Sequence, residues 1–122
     1  VNSIMAKPDD LAQRTERFAT EVRAFLREIP RTESNREDGK QLVRSSGSVA
    51  ANHIEADNAL GEPDRLMKLR ICRKEARESG LWLRLLFTDG ADDLDRERDR
   101  LEDETRQQVL IYSSIIRRLG GD

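Results

Sequence analysis

From Leu11 onward the positions Leu11, Thr15, Phe18, Val22, Phe25 and Ile29 fall alternately four and three residues apart. That spacing lines up one stripe of a helix. Asp9 or Asp10 is placed to cap its start, and Pro30 stops it, because the residue before a proline is pushed out of helical angles; the pattern predicts a first helix near 9–29. A second stripe, Leu42, Ser46, Val49, His53, Ala56 and Leu60, predicts a helix near 34–60, with Ser34 and Glu37 as a capping box at its start. Its side chains are small, and Ser45-Ser46-Gly47-Ser48 is poor helix-forming material that only packing can hold in a helix. Gly61 then ends the second helix and Pro63 suits the first turn of a third near 63–87, whose stripe is Leu66, Leu69, Ala76, Leu83 and Phe87, interrupted by Arg73 and Gly80. A fourth stripe runs through Leu94, Leu101, Thr105, Gln108, Tyr112, Ile115 and Leu119, predicting a helix near 92–119 capped by Asp92 or Asp93.

Four helices of matched length on short connections make an all-α, antiparallel up-down-up-down four-helix bundle, with residues 1–122 as one domain. Composition agrees: 36% of residues are hydrophobic, 38% are charged and 4% are aromatic, too few aromatics for a sandwich or barrel. The stripes of the last three helices carry Ser, His, Arg, Gly, Gln and Thr, a polar middle for a bundle standing alone. Copies packed side by side would bury more, so the chain is expected to form a homo-oligomer.

Charge and cysteine content narrow the function classes. The net charge of −2 gives no global positive field for nucleic acid or an anionic membrane. No apolar run is long enough to span a bilayer and no signal peptide is recognisable, so the chain is read as cytoplasmic, without a membrane partner. The single cysteine, Cys72, excludes an intrachain disulfide and a thiolate-rich metal cage. His53 is the one histidine, and Ala50 stands where a di-iron bundle would need a glutamate three residues before it; no metal or other cofactor is expected.

The charged residues supply the candidate sites. Arg44, Ser48, Asn52 and Glu55 share one face of the second helix; Arg70, Lys74 and Glu78 stack on the third, with Arg73 and Arg77 alongside. Across an antiparallel hairpin, Glu55 is expected to face Arg73 or Lys74, and Arg44 to face Glu78, as a polar network or subunit interface. Between Arg65 and Arg77 there are six basic residues and one acidic, against nine acidic and three basic between Asp89 and Glu104. Arg65, Lys68, Arg70, Arg73 and Arg77 form a candidate nucleic-acid stripe, although no aromatic residue is interleaved to stack bases. His53 reads as a hydrogen-bonded packing residue within reach of Asp57, and Cys72 as a small buried hydrophobe.

The runs Gln41-Leu42-Val43-Arg44-Ser45-Ser46-Gly47-Ser48-Val49-Ala50-Ala51-Asn52-His53-Ile54-Glu55-Ala56 and Arg70-Ile71-Cys72-Arg73-Lys74-Glu75-Ala76-Arg77-Glu78-Ser79-Gly80-Leu81-Trp82-Leu83 resemble the bacterial four-helix-bundle family named for 23S rRNA intervening sequences. The likeness extends over nearly the whole chain. It implies a homopentamer and no enzymatic activity, and it carries the family's polar pattern onto Arg44, Ser48, Asn52 and Glu55 and onto Arg70, Arg73, Lys74, Glu75 and Glu78. The chain departs from many relatives at Lys74-Glu75 and at His53. Related accessory proteins of retroelements bind nucleic acid through a basic pentamer, whereas the balance here is acidic. The expectation is a non-enzymatic oligomeric scaffold or adaptor with a protein partner; the alternative is an RNA- or DNA-binding accessory protein acting through the basic third-helix stripe repeated around the oligomer.

Overall fold

A computed structural model describes residues 8–122. It contains α1 (Pro8–Leu26), α2 (Glu33–Asp57), α3 (Glu62–Leu85) and α4 (Asp92–Arg118). Each helix packs on its neighbours in sequence, and α1 closes against α4, giving the up-down-up-down bundle that the stripes predict. The cap expected of Asp9 or Asp10 lies outside the residues whose side chains are described.

The helix ends differ from the sequence reading, each for a local reason. Ahead of Pro30, α1 stops at Leu26 and the chain tightens, with the Arg27 and Glu28 amides bonding to the carbonyls of Ala24 and Phe25. Ile29 still tucks into the core. At the start of α2 the cap is Thr32 rather than Ser34: Thr32 Oγ1 accepts from the Asn35 amide at 3.1 Å. At its other end Asn58 terminates the helix, donating from Nδ2 to the Ile54 carbonyl at 2.8 Å. Leu60 therefore leaves the stripe and is 97% exposed. Gly61, at φ 142°, becomes the N-cap of α3 rather than the end of α2. Because α3 ends at Leu85 in an extended step, Leu86 takes the core position predicted for Phe87, which is left half exposed. Ala91, not Asp92 or Asp93, precedes α4; the aspartates sit in its first turn, where they complement the helix dipole.

The core divides into two apolar halves. Phe18, Val22, Phe25, Leu42, Leu83 and Leu101 fill the half nearer the α1–α2 and α3–α4 turns. Leu11, Val49, Leu69, Cys72, Tyr112 and Ile116 fill the other. Between them every helix contributes a buried polar residue: Thr15, Ser45 and Ser46, Ser79, Thr105 and Gln108. Most of these satisfy themselves locally. The hydroxyls of Thr15, Ser45, Ser46 and Thr105 donate to the carbonyls of Ala12, Leu42, Val43 and Glu102, three residues back. Ser45 and Ser79 also share a hydrogen bond of 2.8 Å between α2 and α3.

This layer corrects the expectation that the polar middle needs a second copy. Its residues are sealed inside one chain, because short hydroxyl side chains can return their hydrogen bonds to their own helix and still let the backbones approach. The approach is close at Gly80, where an added Cβ would lie 2.9 Å from Thr105 Oγ1.

Candidate functional site

The polar face predicted on α2 and α3 exists, with a different register. Arg44 lies 3.6 Å from Glu78 and 3.7 Å from Glu75, so its expected partner is confirmed and a second is added. Glu55 does not meet Arg73 or Lys74; it pairs with Lys68 at 2.9 Å. The correction follows from the turn. Arg44 with Glu78, Ser45 with Ser79 and Glu55 with Lys68 are each nearly symmetric about Gly61, the centre of the hairpin. Asn52 and Ser48 face each other along α2, the amide donating to the Ser48 carbonyl and hydroxyl at 2.9 and 3.0 Å.

Glu75 is the member that the sequence reading left out of the pairing. It is 6% exposed, and its Oε1 makes no hydrogen bond. Arg44 and Lys74 approach it only as 3.7 Å ion pairs from the rim. The signal was present as the one carboxylate within the basic run. Burying a carboxylate this deeply is costly unless cations lie beside it.

The basic stripe is largely engaged by its own chain. Lys68 is held by Glu55, whose hydrogen bond keeps the ammonium pKa above its ordinary value. Arg70 donates to the Gly121 carbonyl. Arg73 reaches Asp122 at 2.6 Å and Ser113 at 3.4 Å, drawing the Asp122 carboxyl below its usual range. Arg65 is half buried and Arg77 is exposed. These cations do not form one free ridge: Lys68 turns toward α2, while Arg70 and Arg73 turn toward the end of the chain.

His53 and Cys72 lie in the core. His53 Nδ1 and the Tyr112 hydroxyl are 2.9 Å apart, and Nε2 lies 3.6 Å from Asp57, as the packing reading expects. Cys72 is fully buried, with its thiol 3.5 Å from the Val49 carbonyl, and burial pushes its pKa up to about 12. A neutral, enclosed thiol is a poor nucleophile. In the folded protein at pH 8, Cys72 is expected to react with an aromatic disulfide reagent at least about a hundredfold more slowly than in denaturant; equal rates would contradict the burial.

A groove of about 570 Å³ lies away from this face, between the end of α1 and the start of α2, and includes Leu26, Ile29, Pro30 and Val43. No acid–base pair converges on it. Among the described residues no group of three or more His, Cys, Asp or Glu is placed to hold a metal ion, and no helix is long and apolar enough to cross a membrane.

The bundle is similar to the crystal structure of a protein with unknown function from the S23 ribosomal protein family of Bacteroides thetaiotaomicron. The two match with a TM-score of 0.77 and 24% identity over 90% of this chain and 97% of the other. They share one fold. No family model and no curated protein matches this chain. The match spans nearly the whole four-helix architecture.

Proposed function

We propose that this chain is a non-enzymatic, self-associating helical scaffold, a relative of the bacterial family named for 23S rRNA intervening sequences. The observation that carries the reading is the outer surface of α3, where Met67, Leu81 and Leu85 are 54%, 40% and 52% exposed on a helix whose opposite side is buried. An apolar row of that kind on a highly charged chain is suited to contact with another protein surface. The polar residues that chemistry would need are tied into the bundle instead: His53 to Tyr112, Ser45 to Ser79, Asn52 to Ser48.

Light scattering at micromolar concentration tests the reading. A multiple of the 14.0 kDa chain mass is expected; a monomer at all concentrations would overturn it. The motif resemblance implies five copies, which the same measurement distinguishes from two. For RNA the expectation is no retention even at low salt, since Lys68, Arg70 and Arg73 are occupied by Glu55, Gly121 and Asp122. Retention that weakens steeply with salt and is lost in Arg77→Glu would favour the nucleic-acid reading.

A further inference from the structure

The groove at the α1–α2 turn sorts charges that the surrounding stretch mixes. Residues 26–43 hold four basic and four acidic side chains, yet Arg27, Arg31, Arg36 and Lys40 all line the groove and none of the carboxylates does. Among the described residues Arg27, Arg31 and Arg36 have no ion-pair partner, and Lys40 has only the exposed Glu37 at 3.4 Å. Apolar side chains make the floor: Ile29 is buried and Leu26, Pro30 and Val43 are half buried, whereas the four cations stand exposed at the rim.

Gly39 keeps the recess open. It lies in the interior of α2, where glycine weakens a helix relative to alanine. Packing does not require it: an added Cβ would meet Leu26 at an ordinary 3.5 Å, unlike Gly80, where Thr105 stands in the way. The turn is also fixed in advance, since Asn35 holds the Pro30 carbonyl and ties it to both backbone groups of Phe87. A site whose walls are set before binding loses little freedom on taking a ligand.

From this arrangement we infer that the groove binds an acidic peptide segment of a partner protein. One large apolar side chain of the peptide sits over Ile29 and Val43, and carboxylates on either side of it meet the four cations. The volume of about 570 Å³ falls within the range of clefts that hold ligands. The cations are spread from the end of α1, through the turn, to positions one helical turn apart on α2, so the single carboxylate of a fatty acid cannot satisfy them. Nucleic acid brings many charges, but no aromatic residue lines the groove to stack a base. The floor is recessed below its cations, so it receives an apolar side chain and has none to insert into a bilayer.

This site goes beyond the self-association proposed above and does not depend on it; a monomeric chain that binds the peptide would overturn that reading and leave this one standing. The probes are fluorescein-labelled octapeptides of Glu and Asp with a central Leu, Phe or Trp, titrated against the whole chain to about 1 mM, with a central Ser as control. At least one apolar peptide is expected to bind about tenfold or more tightly than the Ser control. Arg31→Glu and Arg36→Glu, both at exposed positions, should each weaken it by about tenfold or more, and Gly39→Leu should do the same by filling the recess, with circular dichroism unchanged. Arg77→Glu, on α3, should leave binding as it was. Absence of saturable binding, equal binding of the Ser control, or binding indifferent to Arg31→Glu and Arg36→Glu would overturn the inference. Polyuridylate that outcompetes every peptide and is itself released by Arg36→Glu would overturn it in favour of nucleic acid.

Discussion

Asn35→Ala is expected to lower the unfolding free energy by about 3 kcal/mol, read in a urea titration, and to bring the thermal midpoint down by about 10 °C. One amide joins two loops distant in sequence. Asn35 Nδ2 donates to the carbonyls of Pro30 and Phe87 at 2.9 and 2.8 Å, while its Oδ1 accepts from the Phe87 amide at 2.8 Å. The residue is 5% exposed, so alanine would leave these backbone groups with little access to replacement water. Asn35→Asp is a sharper test, because a carboxylate keeps the acceptor and sets a negative charge against two carbonyls. Its folded-state pKa would be raised, so the variant should be relatively most stable in acid and lose stability as pH rises. An Asn35→Ala protein with unchanged unfolding would show that the tie between the turns contributes nothing.

Tyr112→Ala carries the other large effect, about 3–5 kcal/mol in the same titration. Tyr112 heads the fully buried side chains by volume, and its hydroxyl is the ring partner of His53. Alanine would open a cavity beside Leu11, Val49 and Cys72 and also leave His53 Nδ1 unpaired. Tyr112→Phe removes only the hydroxyl and should cost about 1–2 kcal/mol, which separates packing from hydrogen bonding. The parent protein should also weaken in alkali. Burial raises the phenol of Tyr112 above its ordinary range and the thiol of Cys72 to about 12. Stability from keeping them neutral is complete below their unfolded values and is lost as pH climbs toward the folded ones, a window opening near pH 9. A flat stability profile between pH 8 and 11 would contradict that burial.

The candidate site was legible in composition and only half legible in pairing. The spacing pairs Arg44 with Glu78, and the structure does too, because the two are equidistant from Gly61. Helical spacing alone sets Glu55 opposite Arg73 or Lys74, whereas reflection about Gly61 leads to Lys68, the partner it has. Glu75 was hidden for another reason: helical spacing says which side of a helix a carboxylate occupies, but not how far neighbouring side chains fold over it. The same limit applied to Leu60, which kept the period of α2 until Asn58 ended the helix before it.

The sequence by itself determined the number of helices, their order and the stripe each turns inward, since a three-and-four periodicity bounded by Pro30, Gly61, Pro63 and Gly90 leaves little other way to bury Phe18, Leu42, Leu83 and Leu101. Only the tertiary structure decided what the polar stripe residues do. A serine on a core stripe can return its hydroxyl to its own helix, cross to a neighbour or await another chain, and these outcomes differ by ångströms that a one-dimensional pattern does not contain. Here the helices come close enough for Ser45 to meet Ser79, and Thr105 sits where only Gly80 leaves room. The hydroxyls of that layer find their partners within one molecule, on their own helix or across to the next.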